Sequence, residues 1–135
     1  MSHIEQIPAE LTRRIRLQVL YPGEDPEYAK LPDDEEGMHL GLFDNNMLIS
    51  VVSLFKKGKD MQFRKFATLE QYQRKGYGTE LLNYLTELSA EEGCVRIWCN
   101  ARKNATGFYS KFGFSETEQT FQKNGYDLVI MEKKI

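Results

Sequence analysis

No apolar run in this chain approaches the roughly 20 residues that a helix needs to span a bilayer, so no membrane association is expected. An excess of basic charge is missing as well. Lys and Arg number 18 against 20 Asp and Glu, for a net charge of -2, which argues against nucleic acid as the main partner. Cysteine is scarce: only Cys94 and Cys99, on one strand-like run. Their odd separation turns the two side chains to opposite faces of a strand, which excludes a bridge between them. Two reduced thiols fit the cytoplasm. With no His close by in sequence they are too few for a metal site. The opening Met1-Ser2-His3-Ile4-Glu5 lacks a basic segment followed by an apolar core, so no signal peptide is expected.

What is present is the composition of an ordinary globular protein, 41% hydrophobic and 28% charged, over 135 residues. That length fits one domain, residues 1–135, around one core. Pro8 to Leu20 reads as a helix, with Pro8 at its first position and Leu11, Ile15 and Val19 on one face. Glu24 to Gly37 is acidic, holds Pro26 and Pro32, and reads as a solvated connector. The other reading of its carboxylates is that they face a cationic substrate.

Three strand patterns follow, Met38 to Asp44, Met47 to Phe55 and Met61 to Leu69, joined by turns at Asn45-Asn46 and Lys56 to Asp60. In the third, Met61 and Phe63 alternate and Phe66 departs from the alternation. Glu80 to Glu92 reads as a helix stopped by Gly93, and Cys94 to Asn100 as a fourth strand that a right-handed crossover sets parallel to the third. Trp98 on that strand reads as packing. A short helix, Asn104 to Phe112, and a hairpin, Phe114 to Phe121 with Tyr126 to Lys133, complete the chain. The expectation is one α/β domain with a mixed sheet.

Between the third strand and the second long helix stands Gln73-Arg74-Lys75-Gly76-Tyr77-Gly78-Thr79. A strand, a basic loop with glycines and a helix N-terminus together make an anion site. The first-turn N–H groups have no intrahelical partners, and the helix dipole adds positive charge there. Gly76 and Gly78 let backbone approach a bulky anion, while Arg74 and Lys75 supply mobile charge. The spacing does not match a phosphate loop ending in Gly-Lys-Ser/Thr, nor a three-glycine dinucleotide fingerprint, whose third position here is Leu81.

A second segment, Ala105-Thr106-Gly107-Phe108-Tyr109-Ser110-Lys111-Phe112-Gly113-Phe114, identifies the pattern. With the loop it resembles the GNAT superfamily of acyl-CoA N-acyltransferases: Gln73 to Gly78 is similar to that family's Gln/Arg-x-x-Gly-x-Gly/Ala loop, and Ala105 to Phe114 to its Ala-x-x-Phe-Tyr-x-x-x-Gly-Phe run. The resemblance implies a mostly antiparallel twisted sheet with splayed central strands, and acetyl-CoA as co-substrate with no metal. It implies that Phe66, Ala67 and Thr68 pair with the pantetheine arm as an added strand would, and that residues 74–79 hold the pyrophosphate. It makes Tyr109 the general acid for the departing thiolate.

The chain departs from the family in two places. Arg102 stands where many members have a pantetheine-contacting Asn, leaving Asn100 and Asn104 as candidates for that role. Leu128 stands where related sequences carry a His. For the general base the candidates are Glu70, Glu116, Asp127, His39 or a water chain, His39 reading more readily as a structural residue. The implied reaction is transfer of an acetyl group to a primary amine, on a small molecule or a protein. The alternative is a non-catalytic acyl-CoA sensor or regulatory module, which would keep the same loop. Phe108, Phe112 and Phe114 read as core. Tyr126 to Met131 is apolar enough to permit a homodimer.

Overall fold

Ile49 to Leu54 is an unbroken run of six buried residues, the mark of a strand covered on both faces. It lies within β3 (Met47–Lys57). The computed structural model describes residues 1–135. Around β3 stand β1 (Ser2–Ile7), β2 (Met38–Asp44), β4 (Asp60–Thr68), β5 (Arg96–Arg102), β6 (Ser115–Lys123) and β7 (Tyr126–Lys134). They form one seven-stranded sheet in the order β1-β2-β3-β4-β5-β7-β6. Every neighbouring pair is antiparallel except β4 and β5. That parallel pair is the crossover product expected of a strand–helix–strand unit.

The N-terminal helical segment covers the sheet by β3 and β4, as does α2 (Tyr77–Glu91). Leu81, Leu82 and Leu85 of α2 are fully buried, and Leu88 packs at the edge of the same core. The short α3 (Thr106–Ser110) sits beside the start of β6. Both hairpin turns predicted around Asn residues have the left-handed backbone that two-residue hairpins require: Asn45 and Asn46 at φ 50° and 65°, Asn124 and Gly125 at 52° and 80°.

Several elements differ from the sequence reading. The segment after Pro8 is not one regular α-helix. Ala9–Thr12 is a 3-10 turn, Arg13–Ile15 an α-turn (α1), and Arg16–Leu20 is π-wound. Pro8 caps it in an extended conformation instead of starting it. β1 has no alternation strong enough to mark it, because it is an edge strand with most of its residues at least partly exposed. Cys94 precedes β5 and does not share its pleat with Cys99; both thiols are free and buried. Trp98 is only half-buried, with the Arg96 guanidinium 5.7 Å from its ring. β7 is enclosed between β5 and β6, so the free edge at this end of the sheet belongs to β6.

Candidate active site

β4 and β5 pair over three residues only, Asp60–Gln62 with Arg96–Trp98. Beyond them β5 stays with β7 as far as Arg102 opposite Leu128, and β4 stays with β3. The two central strands therefore splay. The edge of β4 from Phe63 to Thr68 faces β5 with no ladder across the gap.

A bulge re-aims that edge. Val51 pairs with Ala67 and Ser53 with Arg64, so Lys65 and Phe66 together oppose Val52. The extra residue is accommodated by Lys65 in the left-handed region, at φ 56°. One inserted residue exchanges the faces of all that follow. Phe66 therefore joins Phe63 on one face, which accounts for its departure from simple alternation.

On that face an aromatic cluster fixes Tyr109. Its ring lies 5.6 Å from Phe63, 6.0 Å from Phe114 and 5.3 Å from Phe108. Phe114 is buried; Phe108, expected in the core, is instead 37% exposed and packs edge-on against Phe66 at the rim. Burial pushes the Tyr109 phenol well above its ordinary value, and the neighbouring Cys99 thiol adds to that. The phenol is therefore a proton donor throughout the neutral range. Burial likewise pushes the Cys99 thiol up to about 12, so it is no nucleophile at neutral pH.

The loop ahead of α2 has the backbone that an anion site requires. Arg74 is left-handed at φ 62°, and Gly76, the N-cap of α2, at φ 89°. No side chain caps this helix. Its first ladder bond runs from Glu80 N–H to the Gly76 carbonyl, leaving the earlier amides aimed outward. A Cβ built on Gly76 would meet nothing within 4 Å, so the space above it is open. Gln73 is anchored by its Nε2 donating to the Thr68 carbonyl at 2.9 Å. The Tyr77 side chain points away, its hydroxyl donating to Asp44 Oδ2 at 2.9 Å, so only its backbone faces the loop. Thr79 lies in the first turn of the helix.

These parts meet in a cleft of about 540 Å³. Phe63, Phe66 and Gln73 line it from one side, and Cys99, Asn100, Ala101, Arg102, Asn104 and Tyr109 from the other. Its mouth lies between Tyr21, at the end of the N-terminal helical segment, and Lys123, Asn124 and Tyr126 of the last hairpin. A larger hollow, about 700 Å³, contains Trp98, Phe55 and the Arg96–Asp60 ion pair, but neither the amino end of α2 nor Tyr109.

None of the four side chains considered as a base lines the cleft. Glu70 and Glu116 are exposed, and Asp127 accepts from Gln122 Nε2 at 2.7 Å. His39 is held in a buried network. Its Nε2 donates to the Asp34 carbonyl at 2.8 Å, and its Nδ1 bonds Ser53 Oγ at 2.6 Å. Ser53 Oγ also accepts from Arg16 Nη2 at 2.7 Å, and Arg16 grips the Asp34 carboxylate with two bonds of 3.0 Å. Sequence spacing does not reveal this network, because Arg16 and Asp34 sit in segments that read as an amphipathic helix and a solvated loop.

Residues 13–135 match the model of the acetyltransferase (GNAT) domain. The chain belongs to the GNAT acetyltransferases. An uncharacterised N-acetyltransferase of Bacillus subtilis, YitI, is 33% identical over 145 residues, spanning 100% of this chain and 97% of that one. Among solved structures, a putative N-acetyltransferase from Lactobacillus plantarum superposes with a TM-score of 0.89 at 20% identity, covering 98% of this chain and 97% of its own. A Bacillus subtilis acetyltransferase in complex with CoA superposes at 0.77 with 19% identity, covering 100% and 99%. The splayed GNAT sheet expected from the sequence is the one observed, and the chain is an N-acetyltransferase of this family.

The residues present fit acetyl-CoA as the GNAT co-substrate. Uncapped amides at the start of α2 face open space over Gly76, and β4 offers an unpaired edge that leads from the loop toward Tyr109.

Proposed function

We propose that the chain transfers an acetyl group from acetyl-CoA to a primary amine by direct attack, with Tyr109 as general acid. One observation carries this reading: the Tyr109 phenol, held protonated by burial, shares a cleft with the unpaired edge of β4 and with Gln73 of the anion loop.

In this reading the amides of residues 74–79 and the charges of Arg74 and Lys75 hold the pyrophosphate, as the first turn of a helix does for anions. The edge at Phe66, Ala67 and Thr68 binds the pantetheine arm as an added strand would. Asn104, Asn100 or both supply side-chain amide contacts to that arm. Acetyl-CoA, when bound, supplies the activated acyl carbon and the thiolate leaving group.

The protein's own part is orientation and proton transfer. The neutral amine nitrogen bonds to the acyl carbon as the carbon–sulfur bond breaks. Tyr109 donates its proton to the sulfur, the amine proton leaves to water in the cleft, and the phenol is reprotonated from solvent. With no carboxylate or imidazole lining the cleft, water is the acceptor that the geometry favours.

The test is to incubate the protein with acetyl-CoA and a broad amine panel and to follow free thiol. Amine-dependent thiol release, with the acetylated amine found by mass spectrometry, supports the reading. Tight acetyl-CoA binding without turnover of any amine would mean an acyl-CoA sensor instead.

A further inference from the structure

The cleft that holds Tyr109 is lined by 19 residues, and not one is acidic. Four are cationic, Arg64, Lys65, Arg102 and Lys123. Arg64 is neutralised by Asp33, with Nη1 at 3.1 Å from Oδ2. The other three take part in none of the chain's ion pairs.

Two of these are held in place across the mouth. The Lys65 ammonium donates to the Tyr21 hydroxyl and lies 4.8 Å from that ring's centre. The Arg102 guanidinium is stacked on Tyr126 with its carbon 3.9 Å from the ring centre. Stacking leaves the planar edge of a guanidinium free for two parallel hydrogen bonds. These cations are distinct from Arg74 and Lys75 of the anion loop, neither of which lines the cleft.

The acidic connector does not offset this charge. None of its seven carboxylates lines the cleft: Asp34 is buried against Arg16, Asp33 is paired with Arg64 and Glu27 with Lys30, and Glu24, Asp25, Glu35 and Glu36 are exposed. The other reading of this segment, that its carboxylates face a cationic acceptor, is therefore at odds with where they lie.

We propose that the acceptor is an amine that also carries a carboxylate, recognised at the mouth of the cleft by Arg102 and Lys65. This rests on the acetyl-transfer reading above. A cleft with fixed positive charge and low-dielectric walls concentrates anions and repels polyamines. The same charge lowers the pKa of an incoming ammonium and so raises the fraction of neutral amine able to attack.

The test uses amines matched in skeleton that differ in charge, with rates compared per neutral amine present: L-amino acids against their amides, and 4-aminobutanoate against n-butylamine and 1,4-diaminobutane. Phosphoethanolamine serves as a phosphate-bearing arm. Two readouts are taken, thiol release from acetyl-CoA and calorimetric binding of each amine to the CoA-loaded protein. Carboxylate amines should exceed their neutral and cationic partners at least tenfold in kcat/KM, and should exceed phosphoethanolamine. In the Lys65→Gln/Arg102→Gln protein that preference should fall about tenfold through KM, and Arg102→Lys should restore part of it. Preference for the diamine or for the phosphate amine, or equal use of acids and amides, overturns the proposal while acetyl transfer stands. If no amine is acetylated yet carboxylate amines still bind at least tenfold better than their amides, acetyl transfer falls and the charge preference stands. No selectivity in either readout overturns the proposal.

Discussion

Phe63 and Phe66 lie three residues apart on β4 and yet share one face of the sheet, their rings 6.2 Å apart in a T-shaped contact. Regular pleating would put them on opposite faces. The residue that joins them is Lys65, whose left-handed backbone forms the bulge. This local feature sets the wall on which Tyr109 rests and turns the β4 edge toward the gap with β5.

The bulge makes Lys65 sensitive to the shape of its replacement. A β-branched residue resists a positive φ, so Lys65→Val should cost about 1–2 kcal/mol of stability. It should also weaken acetyl-CoA binding as the edge straightens. Asn tolerates this conformation, so Lys65→Asn should keep the fold and cofactor affinity. Urea unfolding and calorimetric titration with CoA on the two variants check the pair.

Tyr109→Phe removes the proton donor and keeps the ring packed against Phe63 and Phe114. Turnover should fall roughly 10²-fold or more, with little change in acetyl-CoA affinity. Because burial raises the phenol above its ordinary value of 10.0, the wild-type profile of kcat should show no descending limb from Tyr109 below pH 10. The sign for stability follows from the same shift. A group whose pKa is raised by folding contributes fully below its unfolded value and loses that contribution as pH rises beyond it. Alkaline unfolding of wild type should therefore set in above pH 10 and be delayed in Tyr109→Phe. If turnover per bound complex is unchanged in the variant, Tyr109 is not the acid.

Gly76 and Gly78 are two residues apart and should respond oppositely to alanine. Gly76 has φ 89°, so Gly76→Ala is strained despite the open space around it. A loss of about 1–2 kcal/mol is expected, together with weaker CoA binding. Gly78 is helical, and a Cβ there would sit 3.7 Å from Phe66 and Phe108, an ordinary contact. Gly78→Ala should be neutral or stabilise the helix by up to about 1 kcal/mol. Thermal melts of the two proteins, with and without CoA, separate the cases.

Removing the carboxylate charge at Asp34 strands a buried guanidinium. Arg16 and Asp34 are 0% and 3% exposed, and a broken buried pair typically costs about 3–5 kcal/mol. Asp34→Asn should destabilise in that range by urea unfolding. In the wild type, burial works to raise the Asp34 pKa. The hydrogen bonds from Arg16 and the Leu31 amide, with the charges of Arg16 and His39, outweigh it and hold the pKa below 3.8. A carboxylate whose pKa is lowered by folding stabilises above its unfolded value and loses that contribution as pH falls further. The stability difference between wild type and Asp34→Asn should therefore be full at neutral pH and shrink below about pH 4.

Much of the architecture could be read from local signals. Strand alternation, the Asn-containing turns and the Leu81-Leu82-Leu85 face each depend on residues within one turn or one pleat of each other, and such short-range patterns survive in a linear chain. The pair of motifs from Gln73 to Thr79 and from Ala105 to Phe114 named the family for the same reason: each is a contiguous backbone shape with its own residue requirements. What tertiary structure alone decided depends on contacts between distant segments. Arg16 meets Asp34 and Ser53 only because the N-terminal helical segment and the connector close over β3, so an apparently solvated acid became a buried one. The unpaired β4 edge depends on where two strands stop pairing, and the electrostatic character of the cleft on which charges find partners first. Asp33, Asp34 and Glu27 found theirs, while Lys65 and Arg102, held against Tyr21 and Tyr126, met no carboxylate. Local residue patterns were enough to mark the loop and helix start proposed to hold the donor, whereas the charges lining the cleft were set by which distant side chains met on folding.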